Sequence, residues 1–267
     1  MIPLICIDVD GTLVGSSKVV TDAVWTAVDE AIERGQHHAL STARGAFGSS
    51  WEMAKRLDPN GWHVFHAGGA IVHTGSGDIV GEGLDDASIT ALRALNTDTW
   101  FLELYSATAY AVESDSKESV DHAALMGLPF TKGSFDAFLE QHETIVRAQM
   151  VVPIADIAAV TAQIEPLGLS ISSATSPIME GTAFVSITRD GITKATGIAA
   201  ICDSLDLTID QVMMIGDGLN DLPAIEAVGY PVAMGNAANE VKSAATYLVT
   251  DVDHDGVAEA LALSAEL

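Results

Sequence analysis

The chain has 267 residues, 48% hydrophobic and 18% charged, with 37 Asp plus Glu against 12 Lys plus Arg and a formal charge of −25. Such a chain can fill one large core or two modest ones, and its acidity argues against nucleic acid and anionic lipid, which need clustered cations. No run of about 18 apolar residues occurs, so no membrane span is expected.

Residues 4–9 are an apolar, β-branched run ending in Asp-Gly, which predicts a buried strand entering a turn. Over 21–34, Val24, Ala27, Val28, Ala31 and Ile32 recur at helical spacing, with Thr21 as N-cap and Gly35 as stop. A second strand is expected over 38–42, a turn at Ala43-Arg44-Gly45, a helix over 50–57, and strands at 64–65 and 70–73 around Gly68-Gly69. Strand and helix alternate here, the grammar of parallel strands with right-handed crossovers. The middle reads differently: a helix over 87–96, strands over 100–106, 109–113 and 144–152, a helix over 154–167 and a strand over 169–174. The first pattern then resumes, with helices over 195–205, 221–228, 238–245 and 255–263 and strands over 211–215, 231–234 and 247–249. The expected fold class is α/β: a Rossmann-like parallel-sheet core, 1–78 and 188–267, split by an inserted α+β domain over 79–187.

In an open parallel sheet, ligands bind beyond the carboxyl ends of the strands. Asp8 ends the first strand, Thr42 the second, and Asp217 follows the strand at 211–215, so neighbouring strands would bring all three to one crevice. With Asp10 and Asp221 they make a cluster of carboxylates, which is unstable until a hard divalent cation neutralises it. A carboxylate such as Asp8 can attack phosphorus, while Asp10, two residues on, can protonate the leaving group and later activate water. Gly11 permits the sharp turn. The Thr42 hydroxyl and the Ala43 amide can donate to a phosphate oxygen, and Lys194 supplies a point charge for the phosphate and Asp8. Asp217 completes an all-oxygen site suited to Mg2+.

Asp8-Val-Asp10-Gly-Thr-Leu13, Ser41-Thr42-Ala43-Arg44, Lys194-Ala-Thr and Gly216-Asp217-Gly218-Leu219-Asn220-Asp221, in that order, resemble the four motifs of the haloacid dehalogenase (HAD) superfamily of phosphatases. Val232-Ala-Met-Gly-Asn-Ala237, Glu240-Val-Lys242 and Asp255-Gly-Val257 resemble its Cof-type subfamily, so the insertion is expected to be a C2 cap of the IIB kind. The resemblance implies Asp8 as nucleophile and Asp10 as general acid/base. It implies Mg2+ held by the Asp8 carboxylate, the Asp10 backbone carbonyl and Asp217, with Asp221 behind them orienting a water on the metal. Thr42, Ala43, Lys194 and Asn220 would hold the phosphoryl group. Arg44 is a candidate to face the leaving group, and Glu180, late in the cap, another. Two departures stand out: Ala43 occupies the glycine of Thr-Gly-Arg, and Gly68-Gly69-Ala70 stands where the subfamily has Asn-Gly-Ala. Alanine would be strained if its position needs φ > 0, and Gly68 removes a hydrogen-bonding side chain.

Other features have plainer readings. Asp251-Val-Asp253-His-Asp255-Gly256 imitates the start of an EF-hand, but Ala262 at the twelfth position offers no carboxylate, so a turn and helix cap is expected. His37, His38, His63 and His66 lack a two-ligand helical spacing, and Met179 reads as cap packing. Cys6 and Cys202 lie far apart in apolar surroundings, as small buried residues in a reducing cytoplasm. The stretch from Ile2 to Ile7 is too short for a signal peptide. The expected function is a Mg2+-dependent phosphatase acting on small phosphorylated metabolites, sugar phosphates or phosphorylated cofactors, through an aspartyl phosphate. A phosphomutase acting on a sugar phosphate, a phospho-acceptor domain and a silent ligand-binding protein are the alternatives, and oligomeric state stays open.

Overall fold

The computed structural model describes residues 1–128, 130–142, 144–175 and 179–267. The chain divides into two units, the first made of Met1–Arg44, Ser50–Val80 and Thr193–Leu267, the second of Gly45–Ser49 and Gly81–Ile192. Its elements begin β1 (Leu4–Ile7), α1 (Asp22–Glu33), β2 (His37–Leu40), α2 (Gly48–Leu57), β3 (Trp62–Phe65), β4 (Ala70–His73) and β5 (Ile79–Gly81). Then come α3 (Asp86–Arg93), β6 (Phe101–Tyr105), β7 (Tyr110–Val112), α4 (Lys117–Leu125), α5 (Phe135–Gln141), β8 (Arg147–Pro153), α6 (Ile157–Ile164), β9 (Ser170–Thr175) and β10 (Thr182–Thr188). The chain ends with α7 (Lys194–Ser204), β11 (Val212–Gly216), α8 (Leu222–Ala227), β12 (Tyr230–Ala233), α9 (Asn239–Ala244), β13 (Tyr247–Leu248) and α10 (Gly256–Glu266).

In the first unit, a five-stranded sheet runs in the order β13-β12-β11-β1-β2. All its pairings are parallel, with Ile7 beside Ile215 on one side and Leu40 on the other. β1 and β11 are buried along their whole length, as expected of strands covered on both faces, which need continuous apolar runs. Thr21 caps α1 by accepting from the Val24 N–H at 3.2 Å. β2 stops at Leu40, short of the expected Thr42, because the chain changes partner. The Ser41 N–H still donates to Ile7 O, but the Thr42 N–H donates to Val64 O on β3, at 3.0 Å.

His63 cross-links the same two strands. Its Nδ1 accepts from the Leu40 N–H at 2.9 Å, and its Nε2 lies 3.0 Å from Asp58 O. Burial pushes His63 and His38 down to about 4 each. Both are therefore neutral at pH 7, whereas in the unfolded chain they titrate near 6.5. Their contribution is fully present above about pH 6.5 and is lost progressively as pH falls toward about 4, because only the unfolded chain takes up the protons. Each accounts for about 2 kcal/mol between pH 7.5 and 5. His38→Gln is expected to flatten the unfolding free energy against pH by that amount. Denaturant titrations at the two pH values check it, and an unchanged slope would contradict it.

The second unit is a five-stranded antiparallel sheet in the order β7-β6-β8-β10-β9. One core cluster contains Leu102 and Leu104 of β6, Ala148 and Met150 of β8, Ala183, Val185 and Ile187 of β10, and side chains of α3, α5 and α6. β10 was not anticipated: Phe184 is buried with Phe101, Val151 and Met179, so the strand lacks the strict apolar–polar alternation that would have marked it. α4 escaped for a related reason, since it buries Ser119 and His122 beside Ala123. The helix expected over 154–167 is α6 alone, flanked by 3₁₀ turns at Ile154–Asp156 and Glu165–Leu167. Pro166, with no N–H to give, lies in the second turn.

Candidate active site

The site residues of the first unit come from the carboxyl ends of β1, β2 and β11 and from the first turn of α7. Asp8 leaves β1 with its N–H still donating to Ile215 O, and its own carbonyl accepts from Leu13 in a tight loop that returns through Val14. Gly11 sits in that loop at φ +84°, where a Cβ would stand 2.2 Å from Asp217 Oδ2. Glycine is thus needed twice, for the backbone conformation and for the approach of the second carboxylate. Among the described residues, no backbone N–H outside the regular elements donates to the Asp10 carbonyl oxygen.

Lys194 opens α7, whose N-cap Thr193 forms a capping box with Thr196. Its side chain is fully buried, and Nζ donates to Asp8 Oδ1 and Asp221 Oδ1, both at 2.5 Å. Asp221 is also fully buried, and its Oδ2 accepts the N–H groups of Asp217 and Gly218 at 3.0 and 2.9 Å. One carboxylate therefore shapes the loop after β11 and holds the lysine. Asp217 accepts from Thr12 Oγ1 at 3.2 Å and from Asn236 Nδ2 at 3.1 Å. Both donors lie within motifs visible in the sequence, but the resemblance attached no role to either. Only the pairing of distant loops reveals what they touch.

Carboxylate oxygens of Asp8, Asp217 and Asp221 lie within 4.8 Å of one another. Burial, then Asp221, pushes Asp8 up to about 8 despite Lys194. Burial, then Asp221, also pushes Asp217 up to about 6. Burial works against the Lys194 ammonium, but Asp8 and Asp221 outweigh it and hold its pKa above the ordinary value. A single ammonium shared by several carboxylates stays charged and cannot fully stabilise all of them. With all three carboxyls ionised, the one ammonium leaves two negative charges unbalanced. One hard divalent cation with oxygen preference fits that donor set and that charge.

Thr42 is buried just beyond β2, its hydroxyl accepting from the Arg44 N–H at 3.1 Å. Two N–H donors from a turn after β3 steady this loop: His66 to Arg44 O and Ala67 to Thr42 O, both at 2.9 Å. His66 and Ala67 both adopt positive φ, 52° and 57°, a conformation L-residues take only where neighbours compel it. Ala43 is not among the residues at positive φ, so alanine in place of glycine introduces no strain there. Gly68 is at φ +108°, and a Cβ there would stand 2.1 Å from Thr193 O. The asparagine of the subfamily could not fit in this chain, where the backbone at 68 lies directly against the cap of α7.

The guanidinium of Arg44, the candidate leaving-group contact, grips Asp10 with Nε to Oδ2 at 2.8 Å and with Nη2 to Oδ1 at 2.5 Å. Asn220 is exposed. Glu180 is exposed in the second unit, in the turn entering β10. The stretch from Asp251 to Gly256 forms a turn in which Asp251 accepts from the Asp253 N–H. Asp255 precedes α10 in the left-handed conformation, and its carboxylate accepts from Thr21 Oγ1 at 2.6 Å rather than capping that helix.

The family model for haloacid dehalogenase-like hydrolases matches residues 5–261. A 5-amino-6-(5-phospho-D-ribitylamino)uracil phosphatase of Bacillus subtilis is 28% identical over 268 residues, covering 97% of this chain and 94% of that protein. A haloacid dehalogenase-like hydrolase from Bacteroides thetaiotaomicron superposes with a TM-score of 0.85 at 26% identity, over 99% of this chain and 100% of the other. A HAD subclass IIB sugar phosphatase shares the fold, with a TM-score of 0.81 at 19% identity over 99% of each chain. Among the described residues, no helix is long and apolar enough to cross a membrane.

Proposed function

The chain belongs to the haloacid dehalogenase-like hydrolase family, and on that premise we propose that it is a Mg2+-dependent phosphatase of small phosphorylated metabolites that works through an aspartyl phosphate on Asp8. The observation that carries this reading is the meeting of Asp8, Asp217 and Asp221 around the buried Lys194 ammonium. Mg2+, held by Asp8, the Asp10 carbonyl and Asp217, would offset the charge of the phosphoryl oxygens and of the carboxylates around them.

The remaining steps fall to the chain's own groups. An Asp8 oxygen attacks phosphorus, the bond from phosphorus to the ester oxygen breaks, and protonated Asp10 gives its proton to the leaving oxygen. Asp10, now a carboxylate, takes a proton from water as the water oxygen attacks phosphorus. The bond between phosphorus and Asp8 then breaks, releasing phosphate and restoring Asp8. Arg44, which donates to both Asp10 oxygens, would orient that carboxyl group. Lys194 keeps an ammonium beside Asp8 throughout, and Thr42, Ala43 and Asn220 would donate to the phosphoryl oxygens.

These residues serve a group common to every phosphate ester. Selectivity is therefore assigned to the inserted segment, expected over 79–187 as a cap. The relative named for a phosphorylated ribitylaminouracil and the neighbour named as a sugar phosphatase both support small phosphorylated metabolites as the class. Buried free thiols at Cys6 and Cys202 suit a reducing cytoplasm.

Phosphate release from a panel of sugar phosphates and phosphorylated cofactors, with Mg2+ and with chelator, tests the reading. Release is expected with Mg2+ alone, and Mg2+ at 100 times its Kd should stabilise the fold by about 2.7 kcal/mol. Release undiminished by chelator, or an isomerised ester in place of free phosphate, would sink it.

A further inference from the structure

We propose that Asn236 is a positioning residue that fixes the Asp217 carboxylate for cation binding. It follows β12, in a loop stitched to Asp217 by the main chain as well, since the Ala238 N–H donates to Asp217 O at 2.9 Å. Its side chain ties three loops together. Nδ2 donates to Asp217 Oδ2 at 3.1 Å and to the Gly11 carbonyl at 2.8 Å, and Oδ1 accepts from the Val252 N–H at 3.0 Å. Gly235 makes the arrangement reachable: a Cβ there would stand 2.7 Å from the Asp251 nitrogen, so a larger residue would lift the loop away.

The pattern of donors gives the residue its purpose. Thr12 holds Oδ1 of Asp217 and Asn236 holds Oδ2. One fixed donor on each oxygen sets the plane of the carboxylate and leaves its other lone pairs for a cation. The terminal torsion of an aspartate is otherwise broad, so losing Nδ2 would let the carboxylate turn away. The bond to Gly11 works in the same direction, because it ties the loop carrying Asp10 to the loop carrying Asp217. Partners that orient a metal ligand typically account for 10–100-fold in affinity.

The inference rests on the cation in the proposed function, and its test reads binding rather than turnover. Mn2+ alone is titrated into metal-free wild type and Asn236→Ala, with free Mn2+ followed by electron paramagnetic resonance. The Kd is expected to rise about 10–100-fold in the variant. Activity at low Mg2+ should fall and recover as Mg2+ is raised, with KM for p-nitrophenyl phosphate at saturating Mg2+ held within about twofold of wild type. Tryptophan fluorescence reports the fold, and Asn236→Ser carries the same measurement should the alanine variant not fold. Wild-type Mn2+ affinity in the variant overturns the inference, as does a raised KM that Mg2+ does not restore. Wild type that binds no Mn2+ would instead overturn the cation reading itself.

Discussion

Asp8→Asn is expected to abolish phosphate release, by about 10⁴-fold or more, and to raise the melting temperature of the metal-free protein. The two effects share one cause. Asp8 is 4% exposed, and burial and Asp221 push it up to about 8. A carboxyl raised in the folded state contributes stability that is fully present below its unfolded value near 3.9 and lost as pH rises through about 8. Near pH 7.5 most of that contribution is gone in wild type, while asparagine has no charge to develop. Lys194 keeps Asp221 as a partner in the variant, so the gain is on the order of 1–3 kcal/mol, or about 2–4 °C for each kcal/mol in a chain of this size. Mg2+ should stabilise the variant less than wild type. Calorimetry with and without Mg2+, beside a phosphate-release assay, checks both effects. Retained turnover would remove Asp8 from the mechanism, and an unchanged metal-free melting temperature would remove the charge argument.

Lys194→Met is expected to be the most destabilising substitution in the site, by about 3–5 kcal/mol at pH 7.5, or roughly 10 °C. Methionine approximates the volume of the side chain and removes its charge, leaving Asp8 and Asp221 facing each other without the ammonium they share. The lysine side chain is 0% exposed, so solvent screens the charges left behind only weakly. Turnover should fall by about 10³-fold or more, since both the phosphoryl group and Asp8 lose their fixed positive charge. The pH profile gives the variant a signature. Loss of the ammonium raises the Asp8 carboxyl above its wild-type value of about 8, so the variant's deficit against wild type should be larger at about pH 9 than at pH 7.5. Melting curves across that range decide the matter: equal stability at pH 7.5, or a deficit that shrinks toward about pH 9, would contradict the account.

The parts of the site that could be read in the sequence were those where one residue type does one job close to a strand end. Asp8 after an apolar run and Asp217 after another had to meet once β1 and β11 became neighbours, and their register alone achieves that. Lys194 could be located at a helix start, but its complete burial between two carboxylates depends on Gly68 lying against Thr193. No local pattern encodes that approach. Thr12 and Asn236 were visible as letters in motifs, while their common target, Asp217, is distant from Thr12 by 205 positions. In the second unit, β6 and β8 followed from their apolar runs, whereas β10 and α4 did not. There the burial of Phe184, Ser119 and His122 is decided by neighbours in space, so periodicity had nothing to report.

The place of β1 in the sheet has a consequence for how this molecule is made. β1 is flanked on one side by β11, which is made long after it. Asp8 meets Lys194 only across 186 positions. Contacts of such separation slow folding, because the loop between them must be closed before they return any stabilisation. The strands of the second unit all come from the continuous stretch Gly81–Ile192 and are complete before α7 and β11 exist. A chain cut short before Thr193 therefore holds a first strand with an open edge, an invitation to intermolecular pairing. The carboxylates of Asp8, Asp217 and Asp221 come together only once the loop after β11 has been synthesised.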